Sequence, residues 1–142
     1  MTRMIFVNLP VTDLDRAKAF YTGIGFVNEP RFTDETAACM VWSESIYVMV
    51  LTHEKWKGFT DRPIPDSGSS EVMLCLSCDS REDVDALNAL AGRHGGTADI
   101  SPPSDYGFMM SRSFTDPDGH FWEAMWMDPA AASGEVPMEP AA

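Results

Sequence analysis

The hydrophobic and polar positions of this chain follow the same order twice: a strand, a helix, and then further strands. One apolar stripe at the three- and four-residue spacing of a helix is formed by Leu14, Ala17, Phe20, Tyr21 and Ile24. A second stripe is formed by Val84, Leu87, Leu90 and Ala91. Each stripe follows a strand-like stretch, residues 4–11 before the first and residues 71–78 before the second. The pattern predicts two copies of one βαβββ unit.

Capping and turn residues set the limits of the predicted elements. In the first unit Thr12 or Asp13 caps the helix, and Gly23 and Gly25 end it. The strands predicted to follow it are residues 26–32, 37–43 and 46–52. In the second unit the helix begins after Ser80. Its further extended stretches are residues 97–100, 106–114 and 121–127.

These elements divide the chain into four parts. Residues 4–52 form the first module and residues 71–127 the second. Residues 53–70 show no sustained period and contain prolines and glycines, so they are predicted to be a linking loop. Residues 128–142 have little to bury and are predicted to be disordered. Because each module alone leaves one sheet face uncovered, we expect an α+β fold in which the two modules pair and their curved sheets enclose a cavity.

The last predicted strand carries the most informative residue of the sequence. The turn Asp116-Pro117-Asp118-Gly119 leads into it. Alternation along the strand then places Phe121, Glu123 and Met125 on one face. An ionised carboxylate among large apolar side chains is costly unless it is paired, hydrogen-bonded or bound to a metal, so Glu123 is a candidate functional residue. The alternative is a glutamate at a wet strand edge.

The acidic composition of the chain and its lack of a long apolar run limit the kinds of partner and location that can be expected. The chain has 22 acidic and 10 basic residues and a net charge of -12, which argues against nucleic acid and anionic membrane surfaces as partners. No apolar run approaches the roughly 20 residues of a membrane-spanning helix. The first residues read directly as a strand and not as a signal peptide, so a cytoplasmic location is expected.

The three cysteines are interpreted as reduced core thiols. Cys75 and Cys78 have the spacing of a redox or metal motif, but in a strand they lie on opposite faces. No second pair of ligands is spaced to complete a zinc site. Together with Cys39, they are best explained as small buried hydrophobes.

The chain resembles the vicinal oxygen chelate superfamily, which includes glyoxalases, extradiol dioxygenases and bleomycin- or fosfomycin-resistance proteins. The resemblance spans residues 4–127. Its carriers are Val7-Asn8-Leu9-Pro10-Val11-Thr12-Asp13-Leu14 with Ala17, Phe20 and Tyr21, then Gly23-Ile24-Gly25-Phe26, and Asp116-Pro117-Asp118-Gly119-His120 with Glu123. It implies the fold, but the superfamily contains several kinds of enzyme and proteins that only bind, so function must be argued from the site.

The resemblance also implies where a divalent metal would be held. The corresponding positions on the first and last strands of the two modules are Phe6, Met49, Val72 and Glu123. Only Glu123 has a side chain that binds a metal, whereas a catalytic ion needs about three protein ligands. His53, His94 and His120 show no pattern that would bring them together. No cofactor is therefore expected, and any metal site would use Glu123 with ligands from unrecognised positions or a partner chain.

The predicted cavity is apolar with one acid. Its lining comprises Phe6, Asn8, Tyr47, Met49, Val72, Leu74, Phe121, Glu123 and Met125, and Tyr106 is a further pocket candidate. The favoured hypothesis is a small apolar or aromatic ligand that is bound, or acted on by Glu123 as a general base. The first alternative is a metal-dependent enzyme of the lactoylglutathione lyase or dioxygenase type. The second is an interaction module presenting Trp56 and Phe59. A homodimer is expected because the superfamily contains many dimers.

Overall fold

The structure, a computed structural model, describes residues 2–134. Its first module consists of β1 (Ile5–Val11), α1 (Leu14–Gly23), β2 (Val27–Glu29), β3 (Ala37–Val41) and β4 (Ile46–Thr52). Residues 53–73 form the connection between the two modules, and it begins with a short helix, α2 (His53–Lys57). The second module consists of β5 (Leu74–Ser77), α3 (Arg81–Arg93), β6 (Thr97–Ala98), β7 (Ser104–Asp105), β8 (Met109–Thr115) and β9 (Phe121–Met127). A last helix, α4 (Pro129–Ala132), follows.

Each module forms its own sheet. The strand order is β1-β4-β3-β2 in the first sheet and β5-β9-β8-β6 in the second, with β7 paired to β8. The first and last strands of each module run parallel, so Leu9 lies opposite Val50 and Cys75 lies opposite Glu123. The predicted α+β class with two βαβββ modules is confirmed. Within residues 2–134 the two sheets do not close into a barrel.

The two main helices begin where capping side chains satisfy free backbone N–H groups. The Asp13 carboxylate accepts a hydrogen bond from the Arg16 N–H at 3.0 Å, and the Ser80 hydroxyl accepts one from the Asp83 N–H at 3.1 Å. Of the two candidate caps for α1, the structure therefore selects Asp13. Each helix lays its apolar stripe on its own sheet.

Both modules bury the helix-bearing face of their sheet in one common core. From the first sheet it contains Leu9, Val11, Ala38, Met40, Val48 and Val50. From the second it contains Leu76, Met110, Phe114, Trp122 and Ala124. The modules meet where Phe20 of α1 faces Phe114 with ring centroids 6.4 Å apart and Tyr21 packs edge-on against Trp122 at 6.0 Å. Burial of such side chains stabilises the fold by roughly 1.5–3 kcal/mol each.

Several predicted elements differ from the structure. The strand predicted over residues 26–32 ends at Glu29 and continues as a 3-10 turn, because Pro30 lacks an N–H for the ladder and suits the first position of a helix. The linking loop predicted over residues 53–70 begins with α2, which Thr52 caps by accepting the Lys55 N–H. The strand predicted over residues 71–78 is shorter, since only Leu74–Ser77 pairs with β9.

The stretch predicted as one strand over residues 106–114 forms part of a hairpin. Gly107 adopts a φ of +83° in the turn, and Tyr106 donates its backbone N–H to the carbonyl of Met109 at 2.8 Å. The turn separates β7 from β8 and leaves Tyr106 outside both strands.

The predicted disordered tail is wrong for its first residues. The Asp128 carboxylate accepts the Ala130 N–H at 2.9 Å and starts α4, where Pro129 occupies the first turn. Ala131 is only 2% exposed, so this helix returns to the protein. Residues 135–142, the remainder of that prediction, lie outside the described residues.

The turn before β9 fastens the second module to the first, and we call residues 116–120 the junction turn. The Thr12 backbone N–H and hydroxyl both donate to Asp118 Oδ1, at 2.9 and 2.7 Å. His120 Nε2 donates to the carbonyl of Pro10 at 2.7 Å. These bonds join the end of β1 and the start of α1 to residues more than a hundred positions later in the chain. The segment predicted to be a turn, Asp116-Pro117-Asp118-Gly119, therefore also joins the two modules.

Candidate functional site

The sheet faces opposite the common core, which we call the outer faces, carry most of the predicted pocket. On the first sheet, Phe6 and Tyr47 lie side by side in register on β1 and β4, and their rings stack with centroids 4.5 Å apart. Asn8 and Met49 form the next pair on the same face. Phe6 is 49% exposed, which is unusual for a ring of its size on a paired strand.

Glu123 lies on the outer face of the second sheet. Its register neighbours are Cys75 on β5 and Ser113 on β8, and Phe121 and Met125 flank it along β9. The side chain is half-buried. Desolvation by the surrounding protein raises the pKa of the Cys75 thiol to about 11, with a smaller contribution from the negative charge of Glu123. At neutral pH this thiol is therefore protonated, and Glu123 stands beside a weak hydrogen-bond donor.

The structure distributes the other predicted pocket residues differently. Leu74 shares a face with Trp122, its register partner, and packs against the core instead of facing Glu123. Val72 precedes β5 and is exposed. Tyr106 is exposed in the hairpin turn between β7 and β8 and stacks on Phe108. Of the three cysteines expected to be buried, Cys39 is buried and Cys78 is partly buried. The expectation is wrong for Cys75, which is exposed because Leu74 and Leu76 occupy the core-facing positions of β5.

A cavity of about 570 Å³ lies where the two modules and their connection meet, and we call it the junction cavity. Its wall comes from β1, α2, residues 64–72 of the connection and the junction turn with Phe121. It includes four predicted pocket residues, Asn8, Val72, Leu74 and Phe121. Glu123, Phe6, Tyr47, Met49 and Met125 do not line it. Trp56, considered as an exposed interaction residue, is part of this wall, whereas Phe59 is 70% exposed.

The residues present do not fit the metal that the fold implies. Phe6, Met49 and Val72 offer no oxygen or imidazole donor. Within the described residues 2–134, no three His, Cys, Asp or Glu side chains are grouped so that they could hold a metal ion. A single carboxylate supplies one ligand of the three or more that a resident ion requires.

Among the described residues the most deeply buried carboxylate is Asp116, which the sequence pattern indicates only as a turn residue. It is 2% exposed and accepts hydrogen bonds from the Tyr21 hydroxyl at 2.7 Å and from the backbone N–H groups of Asp118 and His120 at 2.9 Å. Trp122 Nε1 donates to the same Tyr21 hydroxyl at 3.1 Å. Burial raises the pKa of Asp116, and burial together with Asp116 raises the pKa of Tyr21 well above its ordinary value.

This buried network is structural, because it ties α1 to the junction turn and β9 inside the common core. The signal that could have revealed it is Tyr21 in the apolar stripe of the first helix, since a buried tyrosine hydroxyl needs a partner. Its partner Asp116 is 95 residues away in sequence. Local patterns do not identify pairs at that separation.

Fold and site together define a class of protein: two βαβββ modules share one core through the helix-bearing faces of their sheets and leave the opposite sheet faces open. A family model described as the Glyoxalase/Bleomycin resistance protein/Dioxygenase superfamily matches residues 3–124. The chain belongs to this family. Members commonly bind small molecules and are often dimers. No match to the chain is found among curated proteins.

Solved structures show the same fold. A hypothetical protein from S. aureus superposes with a TM-score of 0.73 at 23% identity, covering 89% of this chain and 95% of that chain. A glyoxalase/bleomycin resistance protein/dioxygenase family enzyme from Burkholderia phytofirmans PsJN gives a TM-score of 0.73 at 18% identity, with 89% and 99% covered. A fosfomycin resistance protein from Mesorhizobium loti gives 0.61 at 17% identity, with 94% and 96% covered. At these identities the similarity shows the fold alone.

No helix within residues 2–134 is long and apolar enough to span a bilayer.

Proposed function

We propose that this protein binds a small apolar or aromatic molecule between the outer face of its first sheet and the outer face of the second sheet of a partner copy, without a resident metal ion. One observation carries the proposal. The modules share their core through the helix-bearing faces, so Phe6, Met49, Glu123 and Met125 lie on faces that a single chain leaves partly uncovered.

Exposed apolar side chains at the starts of both edge strands support assembly with a second copy. Phe6 near the start of β1 is 49% exposed, and Val72 and Met73 just before β5 are 53% and 64% exposed. Within the described chain, β1 pairs only with β4 and β5 pairs only with β9, so each strand has one unpaired edge. Apolar patches beside open edges are typical of surfaces that a partner covers. A symmetric dimer would cover both modules at once and create two equal sites.

Glu123 is the acid of this site in the proposal. A carboxylate on an apolar wall can accept a proton from an activated C–H group of the bound molecule, or hold that molecule by a hydrogen bond. The neighbouring Cys75 adds no charge at neutral pH because its pKa is about 11. The proposed site holds no metal because Phe6, Met49 and Val72 stand at three of the four positions where the family resemblance places metal ligands.

The first test is whether the site is shared between chains. Met49→Glu and Met125→Glu each place a charge on one outer face, and neither residue lines the junction cavity. We expect each variant alone to lose binding of the neutral fluorescent probe N-phenyl-naphthylamine. Dimers that combine the two variants should recover up to half of the binding, because one site then carries both substitutions and the other carries none.

No recovery in verified mixed dimers, or a monomer in sedimentation analysis at micromolar concentration, would overturn the shared site. Glu123→Gln tests the acid separately: with the fold intact, it should abolish proton exchange on a bound carbon acid while leaving probe binding within about twofold. One metal ion per chain in protein purified without chelator, lost on Glu123→Ala, would overturn the metal-free site, and lyase and dioxygenase assays would then test the metal-dependent alternative.

A further inference from the structure

The junction cavity shares Asn8 and Phe121 with the outer faces, but most of its wall comes from other residues and gives it a chemistry of its own. Much of its wall is apolar, with Val7, Leu9, Pro10, Ile64, Pro65 and Leu74 among the contributors. About 570 Å³ is within the usual range for a small-molecule site. Glu123 is not part of this wall, so the proposed acid does not serve it.

Two polar groups of this wall are buried without a partner. Trp56 Nε1 has no hydrogen-bond acceptor and Asp118 Oδ2 has no donor within residues 2–134. The Asp118 side chain is only 7% exposed, and its other oxygen is fully engaged with Thr12. A buried donor or acceptor left unpaired destabilises the fold, and a charged group does so more strongly. Both atoms belong to residues that line the cavity, so a ligand that reaches them would supply the missing hydrogen-bond partners.

The charge of the wall gives the sign of the ligand. Asp66 and Glu71 line the cavity together with Asp118. The basic side chains of the wall are the two histidines His53 and His120, and no lysine or arginine of the described chain contributes to it. Arg16 lies 3.6 Å from Asp118, but it approaches Oδ1 and not the unpartnered Oδ2. The net charge of -12 adds a field that concentrates cations near the surface.

We propose that the junction cavity binds a small organic cation whose ammonium group bonds to Asp118 and whose uncharged oxygen accepts the Trp56 N–H, with an apolar body between them. The Asp118 carboxylate supplies the charge-assisted hydrogen bond and Trp56 selects for the acceptor. Three matched probes separate these contributions. Para-methoxyphenethylamine has both groups, para-methoxyphenethyl alcohol lacks the charge, and phenethylamine lacks the acceptor.

Titration calorimetry of the full chain should show the methoxy amine binding at least about tenfold more tightly than the alcohol, and about three- to tenfold more tightly than phenethylamine. Asp118→Asn should abolish the preference for the amine over the alcohol. Trp56→Phe should abolish the preference for the methoxy group. Binding should also shift the indole N–H resonance that disappears from the spectrum in Trp56→Phe.

Glu44→Gln is the matched control, because it removes the same charge from an exposed carboxylate outside the cavity and should keep both preferences. Circular dichroism confirms the folding of each variant. Equal binding of the amine and the alcohol, a charge preference that survives Asp118→Asn, or the absence of binding by all three probes would each overturn the proposal. Met49→Glu should leave these affinities unchanged, so failure here is distinguishable from failure of the outer-face site.

Discussion

At the scale of single residues, the best-defined group in this protein is the buried network of Asp116, Tyr21 and Trp122. The sequence predicted that Glu123 would be the acid with apolar surroundings, but the nearly enclosed carboxylate is Asp116, seven residues earlier. The alternation of side chains along β9 does place Glu123 and Trp122 correctly on opposite faces of the strand. It gives no information on a turn residue, whose burial depends on the helix that packs over it.

Replacing Tyr21 with phenylalanine removes the O–H bonded to Asp116 and the oxygen that accepts the Trp122 N–H. We expect a loss of about 1–3 kcal/mol in the free energy of unfolding, since buried polar partners remain unpaired. Tyr47→Phe is the control, because its hydroxyl bonds only to an exposed backbone carbonyl and should change stability by less than about 0.5 kcal/mol. Urea denaturation measures both, and equal effects would contradict a special role for the network.

The raised pKa of Asp116 predicts a pH dependence with a definite sign. Between the ordinary value of about 4 and the raised folded value, the unfolded chain has released this proton while the folded chain retains it. This contribution to stability is therefore complete below pH 4 and is lost as the pH rises. Asp116→Asn lacks it, so the stability of the variant minus that of the parent should increase from pH 4 to pH 7.

Urea midpoints at four or five pH values test this expectation. Lost hydrogen bonds in Asp116→Asn give a constant offset, and only the slope reports the carboxyl group. Glu44→Gln should show no slope of this kind. A difference that falls with pH would mean that the carboxyl is stabilised in its ionised form.

At the scale of elements, periodicity and capping residues predicted both main helices and the strands β1, β4 and β9. The predicted ends were wrong for β2 and β5, because hydrogen bonding to the neighbouring strand and not composition decides where these strands end. Their apolar patterns extend beyond the residues that pair with a neighbouring strand. α2 was missed because five residues are too few for a period. The junction cavity was not predicted as such, because the connection forms part of its wall.

Gly119 shows how closely the connection packs on the junction turn. It has a φ of +89°, and a Cβ there would lie 2.2 Å from the carbonyl oxygen of Ser67. Gly119→Ala should therefore cost more than the roughly 1–2 kcal/mol of an ordinary left-handed residue. Gly95→Ala provides the matched control, with a φ of +99° and its nearest neighbour at an ordinary 3.7 Å. Comparable losses in thermal unfolding would show that the connection yields freely.

At the scale of the whole molecule, the two modules were predicted but their arrangement was not. Sequence patterns show which side of a strand is apolar, yet both sides of several strands here carry large apolar residues. The choice of the helix-bearing faces for the common core depends on contacts such as Phe20 with Phe114. Most of the predicted pocket residues consequently lie on the outer faces, and the pairing of those faces stays a prediction.

The net charge of -12 predicts how salt affects the molecule as a whole. Repulsion among acidic residues weakens the compact state, and salt screens it as the Debye length falls from about 30 Å at 0.01 M to about 3 Å at 1 M. We expect the unfolding temperature to rise by several degrees between these concentrations of sodium chloride. Calorimetry at matched pH measures it. A falling temperature would mean that the surface ion pairs outweigh the repulsion.

The order in which the chain is synthesised gives the junction turn a further consequence. The hydrogen bonds of Tyr21 with Asp116 and Trp122 can form only after another 95 to 101 residues have been added to the chain. This takes about 5–20 s at ordinary translation rates. During that interval the first module exposes the side of α1 that the second will cover. Nascent chains stalled before residue 116 should therefore be recognised by chaperones, and those extended past β9 and clear of the ribosome should escape them.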